Sequence, residues 1–135
     1  MTDKALPLIY SCSGCSNVAQ LANSVAVEMS HQGLAEMSCI AGVGGGVKSL
    51  VRKAQSNRQI IALDGCLLHC VKHCLENQGV KATLHMTLSE LDMGLKKRNG
   101  ILYDEETRDR LIQKVELKFV ETIGSVVSSD ELSFD

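Results

Sequence analysis

Ile60-Ile61-Ala62-Leu63 is an unbroken apolar run that stops at Asp64-Gly65. A strand with no polar face must be covered on both sides, which is the situation of a parallel sheet flanked by helices. Parallel neighbours cannot be joined by a tight turn, so helical crossovers must lie between them. The rest of the chain supplies that alternation. Pro7 to Tyr10 predicts a first strand, Met37 to Ala41 a weaker second, and Ala82 to Leu88 a fourth. Val18, Leu21, Ala22, Val25, Ala26 and Met29 recur at helical spacing behind Ser16 or Asn17 as N-cap, and Gly33 can close that helix.

Glycines 42, 44, 45 and 46 read as a loop opening a helix through Val47, Leu50, Val51 and Ala54. A further helix is expected from about Cys66 to Gln78, with Gly79 in the capping position. Asp104, Glu105 and Glu106 suit the start of a last helix whose apolar face is Leu111, Ile112, Val115 and Phe119. The expected class is α/β: a small Rossmann-like three-layer fold with a mainly parallel four-stranded sheet. A chain of 135 residues has room for one such domain, over 1–124, with 125–135 as a flexible C-terminal tail.

Composition narrows the function. At 44% hydrophobic and 22% charged the chain is neither disordered, collagenous nor a coiled coil. A net charge of -2 argues against a duty built on phosphate-backbone contacts, so no nucleic-acid partner is expected. No apolar run approaches the roughly eighteen residues of a membrane span, and Ala5–Tyr10 is too short for a signal-peptide core. The expected location is the cytoplasm, away from membranes, where thiols stay reduced. Six cysteines beside four aromatic residues therefore read as metal-binding or redox groups before they read as disulfide staples.

In open parallel sheets functional groups gather beyond the carboxyl ends of the strands. Cys12 and Cys15 follow the first strand, Cys39 lies on or just after the second, and Cys66 follows the third. Distant in sequence, they share one rim. Four thiolates hold zinc tetrahedrally at about 2.3 Å, approaching from several directions. Cys12-Ser-Gly-Cys15 has the two-residue spacer of half such a site; Cys66, Cys70 and Cys74 follow at four-residue spacing. On a helix, Cys66 and Cys70 lie one turn apart and can share an ion, whereas Cys66 and Cys74 would be about 12 Å apart. A helix N-terminus at Cys66 would favour its thiolate.

Each residue has a plainer reading as well. Any of the six can be buried filler, and Cys74, in line with Leu67, Val71 and Leu75, suits a small core hydrophobe or a ligand. Cys15 can be a fifth ligand, a redox partner of Cys12, or neither. His69 and His73 read as surface histidines, and His31 and His85 carry no signal. The glycine loop fails both common nucleotide patterns, since Val47 precedes Lys48; letting backbone pass close to the thiols is the better use. Asp64 is an N-cap or a group steering a ligand. Lys96-Lys97-Arg98 reads as a solvated loop.

Cys12-Ser-Gly, Cys39-Ile-Ala-Gly-Val-Gly-Gly and Ala62-Leu-Asp-Gly-Cys66, with Cys70 four residues on, resemble the DGC-domain family, whose members are regarded as zinc-binding. The resemblance covers about residues 8–90. It implies zinc as the metal and Cys12, Cys39, Cys66 and Cys70 as its chelators, with Cys15 and Cys74 as additions shared by some members. It implies no established reaction. The chain departs from the pattern at Leu67, where proline commonly follows Asp-Gly-Cys. A closed four-thiolate shell leaves no position for water and points to a structural, carrier or sensor role; three thiolates would leave a catalytic opening. The rivals are a thiol-disulfide oxidoreductase using Cys12 and Cys15 and an iron–sulfur protein.

Overall fold

The computed structural model describes residues 5–124. Four strands pair in parallel, and period-two alternation splits their side chains between two cores. In β1 (Leu8–Ser11) and β3 (Ile60–Asp64), Ile9, Ile61 and Leu63 point to one face and Leu8, Tyr10, Ile60 and Ala62 to the other. Every one of these seven side chains is buried. The continuous apolar run is thus two alternating faces, each covered.

The first face is roofed by α1 (Asn17–His31) and α6 (Glu105–Phe119), with the short α5 (Leu88–Leu91) beside them. Ser16 caps α1 by accepting from the Ala19 N–H at 3.1 Å, and Gly33 closes it at φ 81°. Asp104 caps α6 by accepting from the Thr107 N–H at 2.7 Å. The second face is covered by α2 (Ile40–Gly44), α3 (Lys48–Ala54) and α4 (Cys70–Asn77), through Val43, Ala54, Val71 and Leu75. The result is three layers of the α/β class. No described helix is long and apolar enough to cross a membrane.

Sheet order is β2-β1-β3-β4, with β2 at Glu36–Met37 and β4 at Leu84–Thr87. The chain steps one way from β1 to β2, then back across β1 to β3 and on to β4. Loops leaving β1 and β3 therefore turn to opposite faces, opening a crevice between their carboxyl ends.

Three expected elements differ. The second strand ends at Met37, and Ile40 and Ala41, expected in it, belong to α2. Cys39 starts that helix by accepting the Gly42 N–H on its sulfur at 3.4 Å, so Gly42 and Gly44 are helical instead of loop. The helix expected from Cys66 begins only at Cys70. The tail expected over 125–135 lies outside the described residues.

Candidate metal centre

The crevice between β1 and β3 is a pocket of about 280 Å³. Five thiols line it: Cys12, Cys15, Cys66, Cys70 and Cys74. Cys12 stands one residue past β1. Its N–H donates to the Leu63 carbonyl at 3.2 Å, and its sulfur accepts the Gly65 N–H at 3.2 Å. The two loops are thereby tied across the crevice. Gly65 also lies against α1: a Cβ there would meet the Val18 carbonyl oxygen at 2.5 Å and the Ala19 nitrogen at 2.9 Å. Only glycine fits between Asp64 and Cys66.

Asp64 explains why the helix starts late. It is 1% exposed, and its carboxylate accepts from the Val71 N–H at 2.8 Å, the Lys72 N–H at 3.3 Å and the His85 Nε2–H at 2.9 Å. The helix's own cap position, His69, makes no side-chain capping bond and sits in the left-handed region at φ 56°. Asp64 therefore does the work of an N-cap from six residues upstream of Cys70, while residues 66–69 form a turn closed by the His69 N–H on the Cys66 carbonyl at 3.2 Å. Because this carboxylate already holds the second and third amides of α4, the helix dipole is spent on Asp64 and not on Cys66, contrary to expectation.

His69, read from sequence as a surface residue, is half-buried; its Nε2 meets the Thr87 hydroxyl at 3.1 Å and its ring meets His85 edge-on with centroids 4.8 Å apart. His85 and Thr87, which carried no sequence signal, thus anchor the turn that presents Cys66 and Cys70. His73 is exposed, as expected.

Electrostatics tie the sulfurs together. Burial pushes the Cys12 thiol up to about 11, partly offset by the Gly65 N–H, and the neighbouring Asp64, Cys70 and Cys66 add to the rise. Cys74 is also raised, first by burial and then by Cys70 and Asp64. Gly44 gives Cys74 its room, since a Cβ there would stand 2.9 Å from the sulfur; of glycines 42, 44, 45 and 46 it alone brings backbone close to a thiol of the pocket, Gly42 lying against Leu50 instead. Cys39 caps α2 and lines the adjoining cleft with Ser38 and Lys53, which shares Ser13 and Ile40 with the thiol pocket. Lys97, from the loop read as merely solvated, reaches in with its Nζ 3.4 Å from the Cys66 sulfur.

Among the described residues, no three or more His, Cys, Asp or Glu side chains stand close enough to hold a metal ion directly. The donors suit a thiophilic ion by kind and by placement around one pocket. Their present separation does not amount to a coordination shell. Cys15 and Cys70 are exposed, so rotamer and loop adjustment is open to them.

A family model described as the DGC domain matches residues 8–115. The chain belongs to the DGC-domain family. Its Asp-Gly-Cys is the segment whose carboxylate caps α4, whose glycine packs on α1, and whose thiol faces the pocket. The chain is also 59% identical over 114 residues, 84% of its own length and 86% of the relative's, to a Pseudomonas aeruginosa protein named "Anaerobic and virulence modulator AnvM". No solved structure matches it.

Proposed function

We propose that this protein is a regulatory sensor that holds one zinc ion by thiolates at the carboxyl edge of its sheet. Cys12, Cys66 and Cys70 form the core of the ligand set, and Cys15, Cys39 or Cys74 completes it. The observation that carries this reading is the gathering of five thiols around one pocket at the point where the sheet's winding reverses. A dication beside Cys12 would offset the crowding of burial and neighbouring sulfurs that now keeps its proton on. Four thiolates saturate zinc, which favours sensing over hydrolysis, and the relative's name, a modulator, points the same way. When bound, zinc would supply a crosslink between the loops after β1 and β3.

The raised thiol speaks against Cys12 as the attacking group of an oxidoreductase, because a nucleophilic cysteine needs its thiolate at neutral pH. Elemental analysis after anaerobic purification tests the proposal. About one zinc per chain is expected, falling severalfold in Cys12→Ser, Cys66→Ser and Cys70→Ser. Whichever of Cys15→Ser, Cys39→Ser and Cys74→Ser also loses metal identifies the fourth ligand. Folded, metal-free wild-type protein would sink the proposal, and a brown, iron-containing preparation would transfer it to the cluster class.

A further inference from the structure

Lys97 is the one charged side chain lining the thiol pocket among the described residues. Its position is built. Asn17, buried at the start of α1, donates its backbone N–H to the Arg98 carbonyl at 2.9 Å and its Nδ2 to the Lys96 carbonyl at 3.0 Å, and its Oδ1 accepts the Arg98 N–H at 2.7 Å. The Gly100 N–H donates to the Cys15 carbonyl at 2.8 Å, and Ser16 bridges Asn99. This strap locks residues 96–100 onto the loop that carries Cys12 and Cys15. Along it the side chains diverge: Lys96 and Arg98 line a different cleft, and Lys97 alone turns to the thiols.

We propose that Lys97 is the counter-charge of the metal centre, a positioning residue whose ammonium donates to the Cys66 sulfur. This deepens the zinc reading and rests on it. Four thiolates on a dication leave a net charge near -2 in a pocket floored by Val18, Ile40 and Val71, and the α4 dipole is taken by Asp64. An ammonium at 3.4 Å from one ligand sulfur is the compensating charge the fold supplies. Partners that hydrogen-bond a metal ligand in this way tune affinity without touching the ion.

The test uses the full chain and two probes. In anaerobic competition against a chromophoric chelator, Lys97→Gln should weaken Zn²⁺ binding by about tenfold, the low end for such partners because the lysine is exposed. Lys97→Arg should recover most of the loss, Lys97→Glu should exceed it, and Lys96→Gln should leave binding unchanged. In metal-free protein, Cys66 is alkylated by iodoacetate, an anion, and by neutral iodoacetamide, with peptide mass spectrometry as readout. Lys97→Gln should lower the iodoacetate-to-iodoacetamide rate ratio roughly two- to fivefold, the scale of an exposed ion pair. A merely structural lysine would not move that ratio. If wild type binds Zn²⁺ and Lys97→Gln matches it in affinity or in ratio, the inference fails and the zinc reading stands. If wild type binds no Zn²⁺ the zinc reading fails, and Lys97 as a counter-charge to metal fails with it even if the ratio falls.

Discussion

At the scale of single residues, Asp64 and Gly65 carry more of the site than any cysteine. Gly65→Ala would set a methyl group against α1 backbone, which cannot rotate aside as a side chain can. We expect a loss of about 1–3 kcal/mol in urea unfolding; a neutral result would show that α1 moves freely against β3. Asp64→Ala strips acceptors from two α4 amides and from His85 at once. The expected loss is about 2–4 kcal/mol, with Asp64→Asn intermediate, because the Oδ1 contact to the Val71 N–H survives while an amide NH₂ faces the Lys72 N–H and His85. A substitution that cost under about 0.5 kcal/mol would mean water replaces the cap. The importance of Asp64-Gly65 as the end of a strand was legible in the sequence. That Asp64 reaches over five intervening residues was not, because nothing in residues 65–69 announces a turn in place of a helix.

Among elements, legibility followed apolar pattern. The strands at 8–11 and 60–64 were readable as short runs buried at every position, and the helices at 17–31 and 105–119 because buried side chains recur at three-to-four residue intervals in them. The helix start at Cys66 was misplaced because Leu67, Leu68 and Val71 mimic helical spacing, yet Leu67 and Leu68 are exposed on the turn. His69 pays for that turn with a left-handed backbone. Glycine is more at ease there than alanine, while both lose the Thr87 hydrogen bond. His69→Gly should therefore be more stable than His69→Ala by about 1 kcal/mol, and thermal unfolding of the pair measures it; the reverse order would mean the turn is not left-handed. Asp92, buried after α5, accepts from Arg110 Nε at 3.0 Å and Nη2 at 2.8 Å. Burial works against its ionisation, but Arg110 and then Lys114 outweigh it and hold the carboxyl below its usual range. A lowered folded-state value gives stability that is full above the ordinary carboxylate value of about 3.9 and fades as pH falls through the lowered one. Asp92→Asn should thus cost about 1 kcal/mol near neutrality, and the gap from wild type should close below pH of roughly 4. A gap independent of pH would assign the loss to packing.

For the whole molecule, the site exists because winding reverses between β1 and β3; alternation gave a parallel sheet with functional groups beyond its carboxyl ends, but not the strand order that places the reversal there. Which thiols meet depended on register and loop path, which no local pattern encodes. Five sulfurs gather, while Cys39 starts its own helix in the next cleft. The lysine on the strap was missed for the same reason, since its path is set by Asn17, eighty residues earlier in the chain. The pocket joins loops after β1 and β3 that are now stitched by few bonds, whereas the two cores are closed on either face of the sheet. Zinc binding should accordingly slow amide hydrogen exchange at residues 12–16 and 65–72 and leave β1, β3 and α6 nearly unchanged. At a free zinc concentration about a hundredfold above the dissociation constant, linkage adds about 2.7 kcal/mol, or roughly 10 °C in Tm for a domain of this size. Protection spread over α6, or a thermal shift that persists in Cys12→Ser, would place the ion elsewhere on the molecule.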